Sequence, residues 1–346
     1  MSATATPFAF LIHPRVQIAA DLGLVWRPLR HLPERLADAA VRTLPLKPFS
    51  MSRVVLGDRQ VGDVVFVPYG ARHLLSEPGE GKARVTRCVD YAASIGAGVV
   101  GLGALTATGT AGGVSLRGRT DIGVTNGNAY TAAIVEDQLL AMLDDRRRVA
   151  VVGATGSVGT TLVRLLARAG SVDSLTLVAR GAPKLAALQR EVGGRVPTTI
   201  TTDMVDVRDA DAVVLLTASS DALLGPEHLA PGALVLDATQ PRNTHPDLVA
   251  RRPDVTVVDG GVVEIPTMQL RGSSIGLPPG RGYACFAETF LLGLAGHAGH
   301  FSIGVPTLDQ VDHVRDLARR FVHLGFAAAA PTSFGRPLAE RPVVVS

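Results

Sequence analysis

The 346-residue chain is poor in cysteine, in aromatic residues and in net charge, and each shortage excludes a class of protein. Two cysteines, Cys88 and Cys285, are too few for a disulfide framework or a cysteine-based zinc site. The formal net charge is only +3, and no basic stripe with interleaved aromatic residues occurs, so nucleic acid is not an expected partner. No cluster has metal-ligand spacing, and no metal is expected.

Long apolar runs are missing as well. The chain has no stretch of about 18 uninterrupted strongly apolar residues, so no transmembrane segment is predicted. The first residues, MSATATPFAFLIHPRV, lack the charged region and the long apolar core of a secretory signal. Because the cysteines also fit a reducing compartment, we expect a cytoplasmic protein.

Glycine, with 37 residues, and apolar residues, at 47%, are plentiful. This composition is typical of an α/β protein, and the length predicts two or three domains. Residues 1–145 mix strand and helix patterns and predict an N-terminal α/β substrate domain. Residues 146–270 alternate strictly between strand and helix, and residues 271–346 predict a mainly helical C-terminal segment. The polar run Arg146–Arg148 marks the first joint.

The N-terminal domain shows several elements. Residues 8–12 predict a strand, 54–70 a hairpin and 129–143 a helix. A helix that begins near residue 82 carries Cys88 on its apolar face, so this cysteine is expected in the core. The glycine-rich run 99–113 is either a core strand with its turn or the lining of an acyl tunnel; we favour the core for the strand and leave the turn open.

The second stretch predicts a Rossmann-type doubly wound parallel sheet. Its apolar strands alternate with helices, as a parallel sheet with helices on both faces requires. The predicted strands are RVAVVGA, SLTLVAR, DAVVLLTA, ALVLDAT and VTVVDGG.

The motif VVGATGSVGTTLVRLL predicts a dinucleotide site. Gly153, Gly156 and Gly159 follow a strand and open a helix. These positions serve a tight turn, close approach to a pyrophosphate and helix–sheet packing, while the helix N-terminus holds the anion. The loop residues between the glycines, Thr155, Ser157 and Val158, are further cofactor-binding candidates.

The end of the second strand indicates which cofactor is bound. An NAD enzyme usually places Asp or Glu there, whereas this chain has Arg180, with Lys184 four residues on. Cations suit a 2′-phosphate, so NADP is predicted, although a solvated loop arginine would have the same sequence. Other expected cofactor contacts end later strands: Thr217, Ala218, Gly260 and Gly261.

Four motifs in order make the chain similar to a known family. They are GATGSVG, VVDGGVVE, YACFAE and FSIG, and TNGNAYTA at 125–132 adds a weaker match. With them the chain resembles the long-chain acyl-(acyl-carrier-protein) reductases best known from cyanobacteria. The resemblance implies reduction of a fatty acyl thioester, carried by acyl-carrier protein or coenzyme A, to an aldehyde by NADPH. A downstream aldehyde-consuming enzyme is a further expected partner.

The resemblance assigns the acyl-carrying nucleophile to Cys285. Gly282 precedes the helical run ACFAETFLL, which places Cys285 in or near the first turn, where the helix N-terminus lowers a thiol pKa. Position alone favours Cys285 as a small apolar core residue. The nucleotide site and the family pattern together favour catalysis.

Other candidates carry less weight. His297 or His300 is an expected general acid, although Ala298 stands where the family pattern has its histidine. Asn128 and Thr131 match a family segment and either bind the thioester or cap a helix. Glu264 and Glu288 also match, as catalytic or as structural groups.

Two other functions compete with this one. One is a dehydrogenase of the shikimate or glutamyl-tRNA reductase type, which does not require Cys285. A glutamyl-tRNA reductase needs a cysteine in its N-terminal domain, and Cys88 is the only cysteine of this sequence there. The other is a non-catalytic NADP-binding regulator.

Overall fold

A computed structural model describes residues 8–14, 17–143, 147–219 and 222–338. The boundary predicted between residues 145 and 146, with Arg146, lies outside the described residues. Two six-stranded sheets organise the rest of the chain. The strands are β1 Phe8–Ile12, β2 Phe49–Leu56, β3 Arg59–Phe66, β4 Val99–Leu102, β5 Gly123–Thr125, β6 Arg148–Val152, β7 Ser174–Val178, β8 Thr198–Thr201, β9 Ala212–Leu215, β10 Leu234–Asp237, β11 Thr256–Asp259, β12 Val262–Glu264, β13 Met268–Gly272, β14 Arg281–Tyr283, β15 Ala327–Ala328, β16 Thr332–Ser333 and β17 Arg336–Pro337.

The helices connect and cover these strands. They are α1 Ile18–Val25, α2 Glu34–Thr43, α3 Ala71–Ser76, α4 Pro78–Ser94, α5 Leu105–Gly109, α6 Asn128–Met142, α7 Ser157–Ala169, α8 Ala182–Val192, α9 Asp247–Arg251, α10 Ala284–Ala295 and α11 Leu308–Arg320. Short 3₁₀ turns cover Arg27–His31, Val114–Leu116, Met204–Asp209, Pro226–His228 and Val322–Leu324. In the described part of the chain, no helix combines the length and apolar character needed to cross a bilayer.

The second sheet has the predicted doubly wound topology. Its order is β8-β7-β6-β9-β10-β11, and every strand pair is parallel. Counted within this unit, the order is 3-2-1-4-5-6, which places a crevice where the winding reverses, between β6 and β9. The α/β Rossmann-type fold prediction is therefore confirmed.

The first sheet is mixed. Its order is β13-β2-β3-β1-β4-β5, with β2 antiparallel to β3 as the predicted hairpin and β1 parallel to both β3 and β4. Strand β13 comes from beyond the nucleotide unit and pairs with β2 at the edge. The chain therefore returns to the N-terminal sheet after leaving the second one.

Helix α10 also packs on the first sheet. Phe286 and Phe290 are fully buried, with ring centroids 5.9 and 5.1 Å from that of Phe8 on β1. Val311 and Val314 of α11 belong to the same apolar cluster. The C-terminal helices thus complete the N-terminal core, to which Tyr130 and Ile134 of α6 also belong.

Candidate active site

A cavity of about 1510 Å³ is lined by both α/β units. It brings together most of the residues predicted from sequence. Those that line it are Asn128, Thr131, Gly153, Thr155, Gly156, Ser157, Val158, Arg180, Lys184, Thr217, Ala218, Gly260, Gly261 and Cys285. Gly159, His297 and His300 do not line it.

The dinucleotide loop has the close approaches that a phosphate cradle requires. Gly153 has φ of +88°, and a Cβ there would lie 2.7 Å from the Leu216 carbonyl oxygen. Gly156 is the N-cap of α7, so the first-turn amides have no acceptor within the helix and are free to bind an anion. Gly159 allows helix α7 to pack closely on the loop, because a Cβ built there would lie 2.3 Å from the Gly153 carbonyl oxygen. This donor set fits a pyrophosphate.

Arg180 and Lys184 are exposed at the end of the cavity next to β7. Neither forms an ion pair with a carboxylate in the described ranges. Their charges therefore remain available to an anionic group bound beside the loop.

Asn128 and Ser157 join the two units at the cavity wall. The Asn128 Nδ2 donates to Ser157 Oγ at 2.8 Å, and Ser157 Oγ donates to the Gly304 carbonyl at 2.6 Å. Thr131 donates its hydroxyl to the Gly127 carbonyl at 2.8 Å, at the start of its own helix. These bonds fix the dinucleotide loop relative to the N-terminus of α6.

Cys285 is the second residue of α10, in the first turn, as the sequence predicts. Its thiol is half-buried and lines the cavity. The preceding residue, Ala284, donates its amide to the Gly261 carbonyl at 2.8 Å, and the Gly261 amide donates to Gln138 Oε1 at 2.8 Å. The start of the cysteine helix is therefore bonded directly to the glycine pair after β11.

Burial determines the acidity of this thiol. It raises the pKa of Cys285 to about 12, while backbone amides of Ala104, Phe286 and Cys285 itself act in the opposite direction. The expected lowering by the helix N-terminus is therefore present but outweighed, because desolvation penalises the thiolate more than three amides stabilise it. In this environment the side chain of Cys285 is therefore a protonated thiol at neutral pH.

Ala104 is a residue that the sequence analysis missed. It lines the cavity with φ of +47°, an unusual conformation for a residue with a side chain. His13 supports this turn: its Nε2 accepts from the Leu105 amide at 3.2 Å, and its Nδ1 donates to the Pro14 carbonyl at 2.8 Å. Burial lowers the pKa of His13, so it stays neutral and keeps this tautomer. No local sequence signal marks either residue.

Glu288 anchors the cysteine helix. Its carboxylate is fully buried, accepts from the Tyr130 amide at 2.8 Å and accepts from the Thr125 hydroxyl. The amides of Gly127 and Ala129 add to this set, so the carboxylate caps the N-terminus of α6. The contact holds Cys285, three residues earlier, against Gly127.

The stability of the protein should depend on Glu288 protonation. Burial raises the pKa of Glu288 from 4.5 to about 7, so between these values the folded protein holds a proton that the unfolded chain has lost. The contribution of Glu288 to the free energy of unfolding is thus full below about pH 4.5 and falls by about 3 kcal/mol as the pH rises to about 7. Urea unfolding of the wild type and of Glu288→Gln across this range should give curves that differ by this slope. Parallel curves would contradict it.

Neither histidine lines the cavity that contains the Cys285 thiol. Both ring nitrogens of His300 bind backbone: Nδ1 accepts from the Val124 amide at 3.1 Å, and Nε2 donates to the Arg117 carbonyl at 3.0 Å. The His297 Nε2 lies 3.4 Å from the His300 carbonyl. Both side chains hold the segment that leads to Ser302, which bonds to the buried Asn126 at 2.7 Å.

The part of the cavity inside the first unit is mostly apolar, although His13 and Asp21 also line it. Its lining includes Phe10, Ile12, Met51, Phe66, Leu105 and Ile275. The glycine-rich run divides as follows: β4 is buried core, and the turn from Gly103 to Leu105 lines the cavity. Cys285 lines the same cavity as these apolar residues and the dinucleotide loop. In the described ranges, no group of three or more His, Cys, Asp or Glu is placed to hold a metal ion.

Comparison with known proteins supports the assignment of the second unit. Residues 148–259 match the family model "Semialdehyde dehydrogenase, NAD binding domain". They form a nicotinamide-nucleotide domain of the oxidoreductase type. The match spans β6 to β11, the six parallel strands that build the dinucleotide crevice.

Two curated relatives extend beyond this domain. One is the aminotransferase PigE of Serratia sp. (strain ATCC 39006), 27% identical over 87% of this chain and 36% of its own. Another is the long-chain acyl-[acyl-carrier-protein] reductase of Synechococcus elongatus, 28% identical over 60% of this chain and 62% of its own. The chain thus spans less than two thirds of either relative. A solved structure, a probable ornithine cyclodeaminase from Bordetella pertussis Tohama I, is 18% identical over 60% of this chain and 70% of its own, at a TM-score of 0.33.

Proposed function

We propose that this protein reduces a fatty acyl thioester to an aldehyde with NADPH, through an acyl group held on Cys285. The observation that carries the proposal is one cavity whose lining combines a half-buried thiol, a dinucleotide loop and apolar side chains. The similarity to an acyl-[acyl-carrier-protein] reductase supports the same function.

The first step transfers the acyl group between two sulfur atoms. The Cys285 sulfur bonds to the thioester carbonyl carbon, the bond to the donor sulfur breaks, and the proton of the Cys285 thiol leaves with the donor thiol. The carbonyl oxygen becomes an oxyanion during this exchange. The amides of Ala104, Cys285 and Phe286, which already face the sulfur, are the donors placed to stabilise it.

The second step is reduction. The dinucleotide loop and Gly260–Gly261 would hold NADPH, which would supply the hydride for the carbonyl carbon. The same three amides are the donors that would stabilise the oxyanion formed when this carbon is reduced. Collapse of this adduct breaks its carbon–sulfur bond, releases the aldehyde and returns Cys285 to the thiol once it takes up a proton.

The competing activities find less support in the site. Aminotransferases hold pyridoxal phosphate as a Schiff base on lysine, and this chain has three lysines. Of the three, only Lys184 lines the cavity, and it lies in α8, directly after β7. The cysteine required by a glutamyl-tRNA reductase would be Cys88, which is 1% exposed in the N-terminal core, as predicted.

The decisive experiment is incubation with thioesters of several chain lengths on acyl-carrier protein and on coenzyme A, without NADPH, followed by intact mass and peptide mapping. We expect one acyl adduct, on Cys285, that NADPH then discharges as aldehyde. No adduct together with no aldehyde, while NADPH binds, would favour a non-catalytic NADP-binding regulator.

The choice of NADPH is tested by Arg180→Glu. Removing a cation from a 2′-phosphate and adding a carboxylate should weaken NADPH binding by about tenfold to a hundredfold and leave NADH binding nearly unchanged. Fluorescence titration with both cofactors measures this. Arg195→Glu, the same charge change at an exposed position outside the cavity, is the matched control. Equal losses for both cofactors would argue against a 2′-phosphate contact.

A further inference from the structure

The segment from Leu24 to Lys47, here called the mouth segment, has an unusual surface. Twelve large apolar side chains are exposed among the described residues, and half of them belong to this segment. Within this segment, Trp26 and Leu36 are the most exposed of the six, at 62% and 60%. The others are Leu24, Leu32, Leu44 and Leu46. Exposed large apolar side chains concentrated in one segment in this way indicate an interaction site.

The same segment carries the net charge of the chain. It holds five cations, Arg27, Arg30, Arg35, Arg42 and Lys47, against two carboxylates, Glu34 and Asp38. The surplus equals the +3 of the whole sequence, so the remainder is balanced. Within the described ranges Arg27, Arg35 and Lys47 form no ion pair, whereas Arg42 pairs with Glu77 at 2.6 Å.

The mouth segment is held in shape from within. Ala37 and Val41 of α2 are fully buried against α1, and the Glu34 carboxylate accepts the Ile18 amide at 2.6 Å. The buried guanidinium of Arg84 donates to the carbonyls of Val41 and Arg42 at 3.0 and 2.9 Å. The inward face of α2 is therefore satisfied, and the outward face is presented to solvent.

This surface borders the active-site cavity. Leu24 and the neighbouring Asp21 line the cavity that contains Cys285. A molecule resting on the mouth segment would therefore stand at an opening to the apolar lining. The position suits a partner that delivers a substrate into the cavity.

We propose that the mouth segment docks an acidic acyl-carrier protein, whose thioester-bearing arm enters the cavity past Leu24. This inference rests on the proposed function. An exposed apolar side chain stands next to a cation in two places, Trp26 beside Arg27 and Leu36 beside Arg35. This mixture of apolar and positive groups complements an acidic amphipathic helix. A bilayer surface instead requires a continuous apolar face, and the apolar face of α2 is buried inside the protein. Free coenzyme A would leave Trp26 and Leu36 uncovered.

The test compares two donors of one acyl chain: acyl-carrier protein, and the small N-acetylcysteamine thioester. Arg27→Glu with Arg35→Glu should raise KM for the carrier-borne substrate about tenfold and leave kcat/KM for the small thioester unchanged. Added salt should raise the wild-type KM for the carrier only. The matched control is Arg59→Glu with Arg195→Glu, two exposed arginines outside the cavity. Trp26→Ala with Leu36→Ala, which keeps every charge, should reproduce the rise in KM.

The outcomes separate the two proposals. Turnover of the small thioester with no carrier-specific effect of either double variant contradicts the docking surface and leaves the proposed function standing. The docking surface is contradicted as well if the double charge variant loses binding to anionic phospholipid vesicles while its KM for the carrier stays unchanged. Absence of turnover with both donors contradicts the proposed function itself.

Discussion

Cys285→Ala is expected to abolish aldehyde formation while NADPH binding is retained. The sulfur is the only nucleophile in the proposed mechanism, so its removal should lower kcat by a factor on the order of 10⁴ or more. Binding should survive because the dinucleotide loop belongs to the other unit and is bonded to Asn128 and Gly304 rather than to the thiol. Steady-state aldehyde release and NADPH titration of the same preparation measure both quantities.

Two further variants make this prediction specific. Cys285→Ser keeps the size of the side chain but replaces the thiol with a hydroxyl, a much poorer nucleophile near neutral pH, and should be almost as inactive. Cys88→Ala removes the other cysteine, which lies in the core, and should lose some stability but retain the acyl adduct and turnover. An active Cys285→Ala variant would contradict the covalent mechanism and favour direct reduction of the bound thioester.

The second unit could be predicted from sequence because its signals are local. Apolar strands and the glycine loop occur within short windows, and each recurs in the structure. The exception is β8, Thr198–Thr201, which the sequence analysis did not identify. This edge strand is polar and only partly buried, so it lacks the apolar run that marked its neighbours.

The return of the chain to the first sheet could not be predicted. Strand β13 pairs with β2 across more than 200 residues of sequence, and its pattern is mostly exposed. Helix α10 was recognised as a helix, but its apolar faces do not specify which sheet buries them. Sequence periodicity determines that a face is buried, whereas the partner is determined by topology.

In the candidate site, too, residues with a local sequence motif could be predicted, whereas residues that act through their backbone could not. The thiol and the dinucleotide loop carry motifs, so both were identified. Ala104 contributes only a backbone amide, which any residue type supplies, and its positive φ belongs to alanine, not to the expected glycine. The histidines had the chemistry of a general acid, yet backbone groups satisfy both nitrogens of His300. Neither histidine lines the cavity, and a general-acid role for either stays a prediction.

Gly127→Ala should disable the enzyme although it replaces no reactive residue. Gly127 precedes α6 with φ of +74°, and a Cβ there would lie 2.2 Å from the Cys285 Cβ and 2.4 Å from its Cα. The start of α10 would have to move, which should cost about 2–4 kcal/mol of unfolding free energy from backbone strain and overpacking. A shift of about 1 Å at the nucleophile should lower the acylation rate about a hundredfold.

Gly96→Ala is the control that distinguishes backbone strain at a positive φ from steric collision of the added Cβ. Gly96 has a similar φ, +84°, but no atom lies within 4 Å of a Cβ built there. This variant should therefore lose only about 1 kcal/mol and keep its acylation rate. Urea unfolding and the single-turnover rate of adduct formation on Cys285 compare the two variants directly. If Gly127→Ala behaved like Gly96→Ala in both measurements, close packing of the α6 and α10 N-termini would not control the position of the thiol, and the anchoring role of Glu288 would fail with it.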